Sequence, residues 1–109
     1  MSSYYLSEDL PKFGEIGKAA PELWDAYLAW YTASLEAGAL DAKTKKLIAL
    51  AVAVATQEPF CIDAYSSACT DAGATPEELA ELFNVVGAMK GGGVLAHWAQ
   101  AQNTLARKG

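Results

Sequence analysis

The chain of 109 residues is long enough for one domain, here expected to run over 1–109, because single domains cluster near about 100–150 residues. Its formal net charge of −5 and pI of about 4.7 leave no basic face for phosphates, which excludes nucleic acid as the expected partner. A hydrophobic fraction of 52% with only 19% charged residues is high for so short a chain standing alone, so self-association is expected.

Helix punctuation recurs along the chain. Ser7 is placed to cap a short helix over 8–17, with Pro11 still in its first turn, where a missing N–H does no harm. Pro21 opens a second helix over 21–37 that Gly38 is expected to end; Leu23, Tyr27, Trp30, Tyr31 and Leu35 recur there at helical spacing. Asp41 caps a third, "AKTKKLIALAVAVATQ", which is apolar on every side and therefore expected to be buried in the centre or at a subunit interface. Pro59 opens a fourth over 59–72, closed by Gly73. Thr75-Pro76-Glu77-Glu78 is a capping box with proline at N1, and Leu79, Leu82, Phe83, Val86 and Met89 follow on one side. The triple glycine at 91–93 reads as a break or a close-packed joint before a last helix over 94–108. No segment alternates as a half-buried strand does, so the expected class is all-α with five or six helices.

The N-terminus shows neither the basic flank nor the apolar stretch of a signal peptide. The longest uninterrupted apolar run, Leu47 to Ala55, is far short of the ~20 residues that span a bilayer. The expectation is a cytoplasmic protein with no membrane partner.

Both cysteines lie in "QEPFCIDAYSSAC", residues 57–69, and two cysteines do not make a disulfide scaffold. With Pro59 at N1, Cys61 sits in the first helical turn, where free N–H groups and the macrodipole favour a thiolate. Glu58 beside it opposes that with a negative charge. Cys69 lies eight residues on, about 12 Å along a helix, whereas a disulfide needs Cα atoms within about 7 Å. Cys69 reads as a small core residue; Cys61 is open between a site residue and a packed thiol. Tyr65 shares the helix face of Cys61 at i+4 and can donate a hydrogen bond or relay a proton, whereas Asp63 points elsewhere. The single histidine, His97, is a candidate base for Cys61 or a packed joint residue. One histidine and one thiol fall short of a zinc site, and the glycine run lacks the GxxxxGK[ST] pattern of a phosphate loop. No metal and no cofactor are expected.

The stretch "KTKKLIALAVAVATQEPFCIDAYSSACTDAGATPEELAELFNVVGAM" resembles the carboxymuconolactone decarboxylase and alkylhydroperoxidase D-like family. That resemblance implies an all-helical fold and an obligate homo-oligomer, a trimer or hexamer. Many members carry Cys-x-x-Cys, a histidine four residues later, and a glutamate twelve residues before the first cysteine, a set that reduces peroxides or disulfides. Here the second cysteine corresponds to Cys61, while the first falls on Glu58, the histidine on Tyr65 and the glutamate on Lys46. A peroxidase-like subgroup associated with arsenosugar-type biosynthesis is more similar still, through Ser3-Tyr4-Tyr5, Lys12 to Lys18, Pro21-Glu22-Leu23, Trp30-Tyr31, Gln57 to Tyr65 and Gly92 to His97. In that subgroup tyrosine at 65 is the usual residue, so Glu58 and Lys46 are the departures.

Three functions follow as expectations. One is a one-cysteine thiol peroxidase with Cys61 as nucleophile, assisted by Tyr65 and His97, which needs an external thiol reductant, because a sulfenic acid requires a second thiol to resolve it. Another is a non-redox member that binds or decarboxylates a lactone or aromatic acid in a pocket lined by Phe60, Tyr65, His97 and Trp98. The third is a catalytically silent oligomeric protein.

Overall fold

The computed structural model describes residues 5–109, all helical apart from short connections; Ser3 and Tyr4 lie outside this range. A 3₁₀ segment, Ser7–Glu15, leads into the single turn α1 (Ile16–Ala19) and then α2 (Pro21–Leu35). The chain continues through α3 (Ala42–Thr56), α4 (Pro59–Asp71), α5 (Pro76–Ala96) and α6 (Trp98–Lys108).

Three of the expected helix starts are formed by side chains. The Asp41 carboxylate accepts the Thr44 N–H at 2.7 Å, Glu58 caps α4 with Pro59 at N1, and Thr75 and Glu78 close both arms of the capping box. Gly73 ends α4 with φ +94°, a conformation in which a side chain would be strained. Three boundaries differ from expectation. Ser7 makes no cap, and the chain winds as 3₁₀ through Pro11 as far as Glu15. α2 stops at Leu35, where Glu36 turns extended, and Lys45 donates to the freed Glu36 carbonyl. α5 runs unbroken through Gly91–Gly93 and bends only at His97.

The core is small and sits between α3, α4 and α5. Leu50 and Cys69 are fully enclosed, with Ala53 and Ala74 also buried; Leu47, Val54, Tyr65, Leu79 and Leu82 pack around this centre. Lys43 reaches Glu78 at 3.2 Å, tying the starts of α3 and α5. Lys90 donates to the Ala55 carbonyl at 2.7 Å, placing a positive charge at the negative end of α3.

Burial of α3 all round is not achieved within one chain, since Ile48 and Val52 on its outer side are 47% and 56% exposed. The radius of gyration is 18.8 Å, against about 13 Å for a compact domain of this length. The accessible surface is 8236 Å², against about 5,800 Å² for a compact monomer of this mass. Much of the excess lies on α5 and α6, where Val85, Met89, Val94, Leu95, Trp98 and Leu105 are all at least 60% exposed. The stretch Pro76–Lys108 also has the length and composition of a membrane span, with none of it buried in the chain; acidic and amide residues scattered through it hide this from a search for uninterrupted apolar runs.

Candidate functional site

The 3₁₀ segment crosses the N-terminal end of α4 and, with α2, encloses a cavity of about 340 Å³. This lies within the range of small-molecule sites. Phe13, Tyr27, Tyr31 and Phe60 supply its aromatic walls; Asp9, Lys12, Glu58 and Cys61 supply its polar groups. The aromatic side chains are part of a longer array. Phe13 meets Trp24 edge to face at 5.2 Å, Tyr27 lies 5.8 Å from Trp24, and Tyr31 lies 5.6 Å from Tyr27. Trp24 in turn packs on buried Gly17, where a Cβ would come within 2.6 Å of its ring. Glycine at 17 is thus what lets α1 sit against α2 and hold the aromatic wall in place.

Cys61 is exposed to this cavity and free, and Cys69 is also free but buried in the core. Glu58 is half-buried, and its carboxylate accepts the Cys61 N–H at 2.6 Å. The helix end therefore spends a donor on Glu58 rather than on the sulfur. Burial, followed by a hydrogen bond and the negative charge from Glu58, pushes the Cys61 thiol up to about 11. At neutral pH the sulfur is a protonated hydrogen-bonding group. Tyr31, which lines the same cavity, is shifted upward too, by burial first and then by Tyr27 and Cys61. Burial also raises Cys69, partly opposed by the positive charge of Lys46.

The other sequence-predicted residues are placed elsewhere. Cys61, Tyr65 and Cys69 form one stripe at four-residue spacing that begins at the cavity and ends in the core, and Tyr65 packs at its core end. His97 is exposed at the bend between α5 and α6, with Nδ1 paired to Gln100 Oε1. Lys46 lies half-buried on α3, where its charge is felt at Cys69. Of the four residues expected to share a pocket, Phe60 lines this cavity, and Tyr65, His97 and Trp98 are not part of its wall. Tyr31 and Tyr27 belonged to a helical stripe read as packing, and Phe13 to a segment with no periodic signal. Only the spacing of the aromatic residues on α2 could have pointed to them.

Among the described residues no cluster of histidine, cysteine and carboxylate side chains is suited to a metal ion.

Comparison with known proteins places this helical arrangement. A crystal structure of a carboxymuconolactone decarboxylase family protein from Legionella pneumophila, in its apo form, superposes with a TM-score of 0.71 at 38% identity, covering 87% of this chain and 86% of that one. An uncharacterised protein of the cox locus of Paracoccus denitrificans is 40% identical over 84 residues, 77% of this chain and 76% of its own length. An uncharacterised protein of Cupriavidus necator is 34% identical over 87 residues, 80% of this chain and 77% of its own length. Residues 21–103, from the start of α2 into α6, match the carboxymuconolactone decarboxylase family. With the helical order, the Cys61 helix and this match in agreement, the chain belongs to the carboxymuconolactone decarboxylase family.

Proposed function

We propose that this protein binds a small, largely apolar molecule in the cavity at the start of α4, with Cys61 acting there as a protonated hydrogen-bonding thiol. The observation that carries this reading is the cavity itself: about 340 Å³, four aromatic side chains, and a thiol held up to about 11. A wall of that kind supplies affinity by removing apolar surface from water, while a few polar groups set orientation. Tyr31 and Cys61 are the donors that would orient a carbonyl or ring oxygen. The test is a thermal-shift panel of neutral aromatics, aromatic acids, lactones and aromatic ammonium ions. A bound ligand well above its Kd raises the melting temperature by several degrees, and Tyr31→Ala reduces that rise. A flat panel contradicts the reading.

A second reading is a one-cysteine thiol peroxidase, favoured by one specific feature: Cys61 opens onto the cavity with a carboxylate beside it. Glu58 would take the thiol proton as the sulfur attacks a hydroperoxide and pass it to the departing alkoxide as the O–O bond breaks, giving a sulfenic acid and an alcohol. An external thiol would then form a mixed disulfide with loss of water, and a second would release Cys61. A turnover assay with a hydroperoxide and excess small thiol, comparing wild type with Cys61→Ala, separates the two. Equal rates at pH 7 leave the binding reading standing.

We propose also that further copies of this chain cover the exposed apolar face of α3, α5 and α6. Three consecutive glycines in an exposed helix cost about 1 kcal/mol each against alanine. Among the described residues nothing lies within 4 Å of where a Cβ would stand at Gly91, Gly92 or Gly93 to offset this. A neighbouring subunit packed closely on that stretch would.

A further inference from the structure

The cavity beside Cys61 has a charge balance as well as an aromatic wall. Its ionised groups are Asp9, Lys12 and Glu58. Lys12 pairs with Asp9 at 3.0 Å on the exposed side of the 3₁₀ segment. Glu58 accepts the Cys61 N–H and, among the described residues, forms no ion pair with a lysine or arginine. Lys46 is not part of the lining. The lining thus carries two carboxylates against one ammonium, and the half-buried Glu58, hydrogen-bonded to Cys61 but paired with no cation among the described residues, shares it with Phe13, Tyr27, Tyr31 and Phe60.

Both features act in the same direction. Aromatic rings carry negative faces that attract a cation, most strongly when it is desolvated. The Glu58 charge adds to that attraction and repels an anion, which would lose water on entry and meet one lysine already opposed by two carboxylates. Resting on the reading of this cavity as a ligand site, we infer that its ligand is an organic cation: an ammonium or similar centre carried on an apolar or aromatic body. A ligand whose recognised group is a carboxylate is disfavoured at the same place. Glu58 thereby acquires a role beyond capping α4, as the counter-charge of the bound cation.

The test is isothermal titration calorimetry of the full chain with benzyltrimethylammonium, benzyl alcohol and phenylacetate, which share a benzyl group and differ in charge. The expected result is binding of the cation about tenfold or more tighter than the alcohol, with phenylacetate weakest. Glu58→Gln keeps an oxygen to accept the Cys61 N–H, so α4 stays capped. It should remove about tenfold of the cation's affinity and leave the alcohol unchanged. If that variant fails to fold, Tyr31→Leu serves instead and should weaken the cation more than the alcohol. Phenylacetate binding as tightly as the cation, or a substitution that weakens cation and alcohol alike, overturns the inference. Binding of benzyl alcohol without the cation overturns it too, yet leaves the ligand-site reading in place. No binding by any of the three ends both.

Discussion

Glu58 and Cys61 are three residues apart at the start of α4, and the competition between them decides what the sulfur can do. The helix end favours a thiolate, but its donor at Cys61 is taken by the Glu58 carboxylate, and burial and the carboxylate charge both disfavour the anion. This has a consequence for stability. The folded state holds the Cys61 proton up to about 11, whereas an ordinary thiol releases it near 9.0. Between these values the folded chain binds more protons than the unfolded one, so stability falls as pH rises. The contribution is fully present below pH 9.0 and lost through about 11. Denaturant melts of wild type and Cys61→Ser across that window should show a shallower decline in the variant; parallel curves would remove the shift. A second residue-scale prediction concerns Gly17. A methyl there collides with the Trp24 ring, so Gly17→Ala should destabilise by about 1–3 kcal/mol and disturb tryptophan fluorescence. An unchanged spectrum and stability would mean that Trp24 is not held on Gly17. At this scale the sequence already placed Cys61 in a first helical turn and Cys69 in the core. It did not place Tyr31 in the same cavity as the thiol, because that cavity brings α2 to α4 across a long separation in the chain. Nor could i+4 spacing show that the stripe through Tyr65 leaves the cavity for the core.

At the scale of helices, the local chemistry of capping was legible and its absence was misleading. Asp41, Pro59 and the Thr75–Glu78 box act within one turn, and each forms where the side chains dictate. The end of α2 depends on Lys45 reaching Glu36 from the next helix, a tertiary contact invisible in local spacing. The glycine run suggested a break or a close-packed joint; α5 continues through it, because glycine weakens a helix without forbidding it. Removing the Thr75 hydroxyl leaves the Glu78 N–H without its cap, which is bonded at 3.1 Å. Thr75→Ala should lower stability by about 1 kcal/mol in urea melts; no change would show that Glu78 alone maintains the start of α5.

For the whole molecule, the sequence pointed to association through its apolar excess, and the folded chain has surface to match. The apolar stretch of α3 with its exposed outer side, an extended shape and an uncovered α5–α6 face give hydrophobic area that a single chain leaves in water. Light scattering at micromolar concentration should report an oligomer; a monomer would contradict the proposed packing. Gly92→Ala should favour the isolated helix by about 1 kcal/mol but weaken assembly, seen as a shift towards smaller species with dilution. The central claim, however, concerns the cavity and the thiol that opens onto it. Its most direct test is the pH dependence of Cys61 alkylation by iodoacetamide, followed by mass spectrometry with Cys69 as the buried reference. The account predicts slow labelling at neutral pH and a midpoint near 11, shifted downward in Glu58→Gln. Rapid labelling at pH 7 with a midpoint at or below neutrality would contradict it and identify Cys61 as a standing nucleophile.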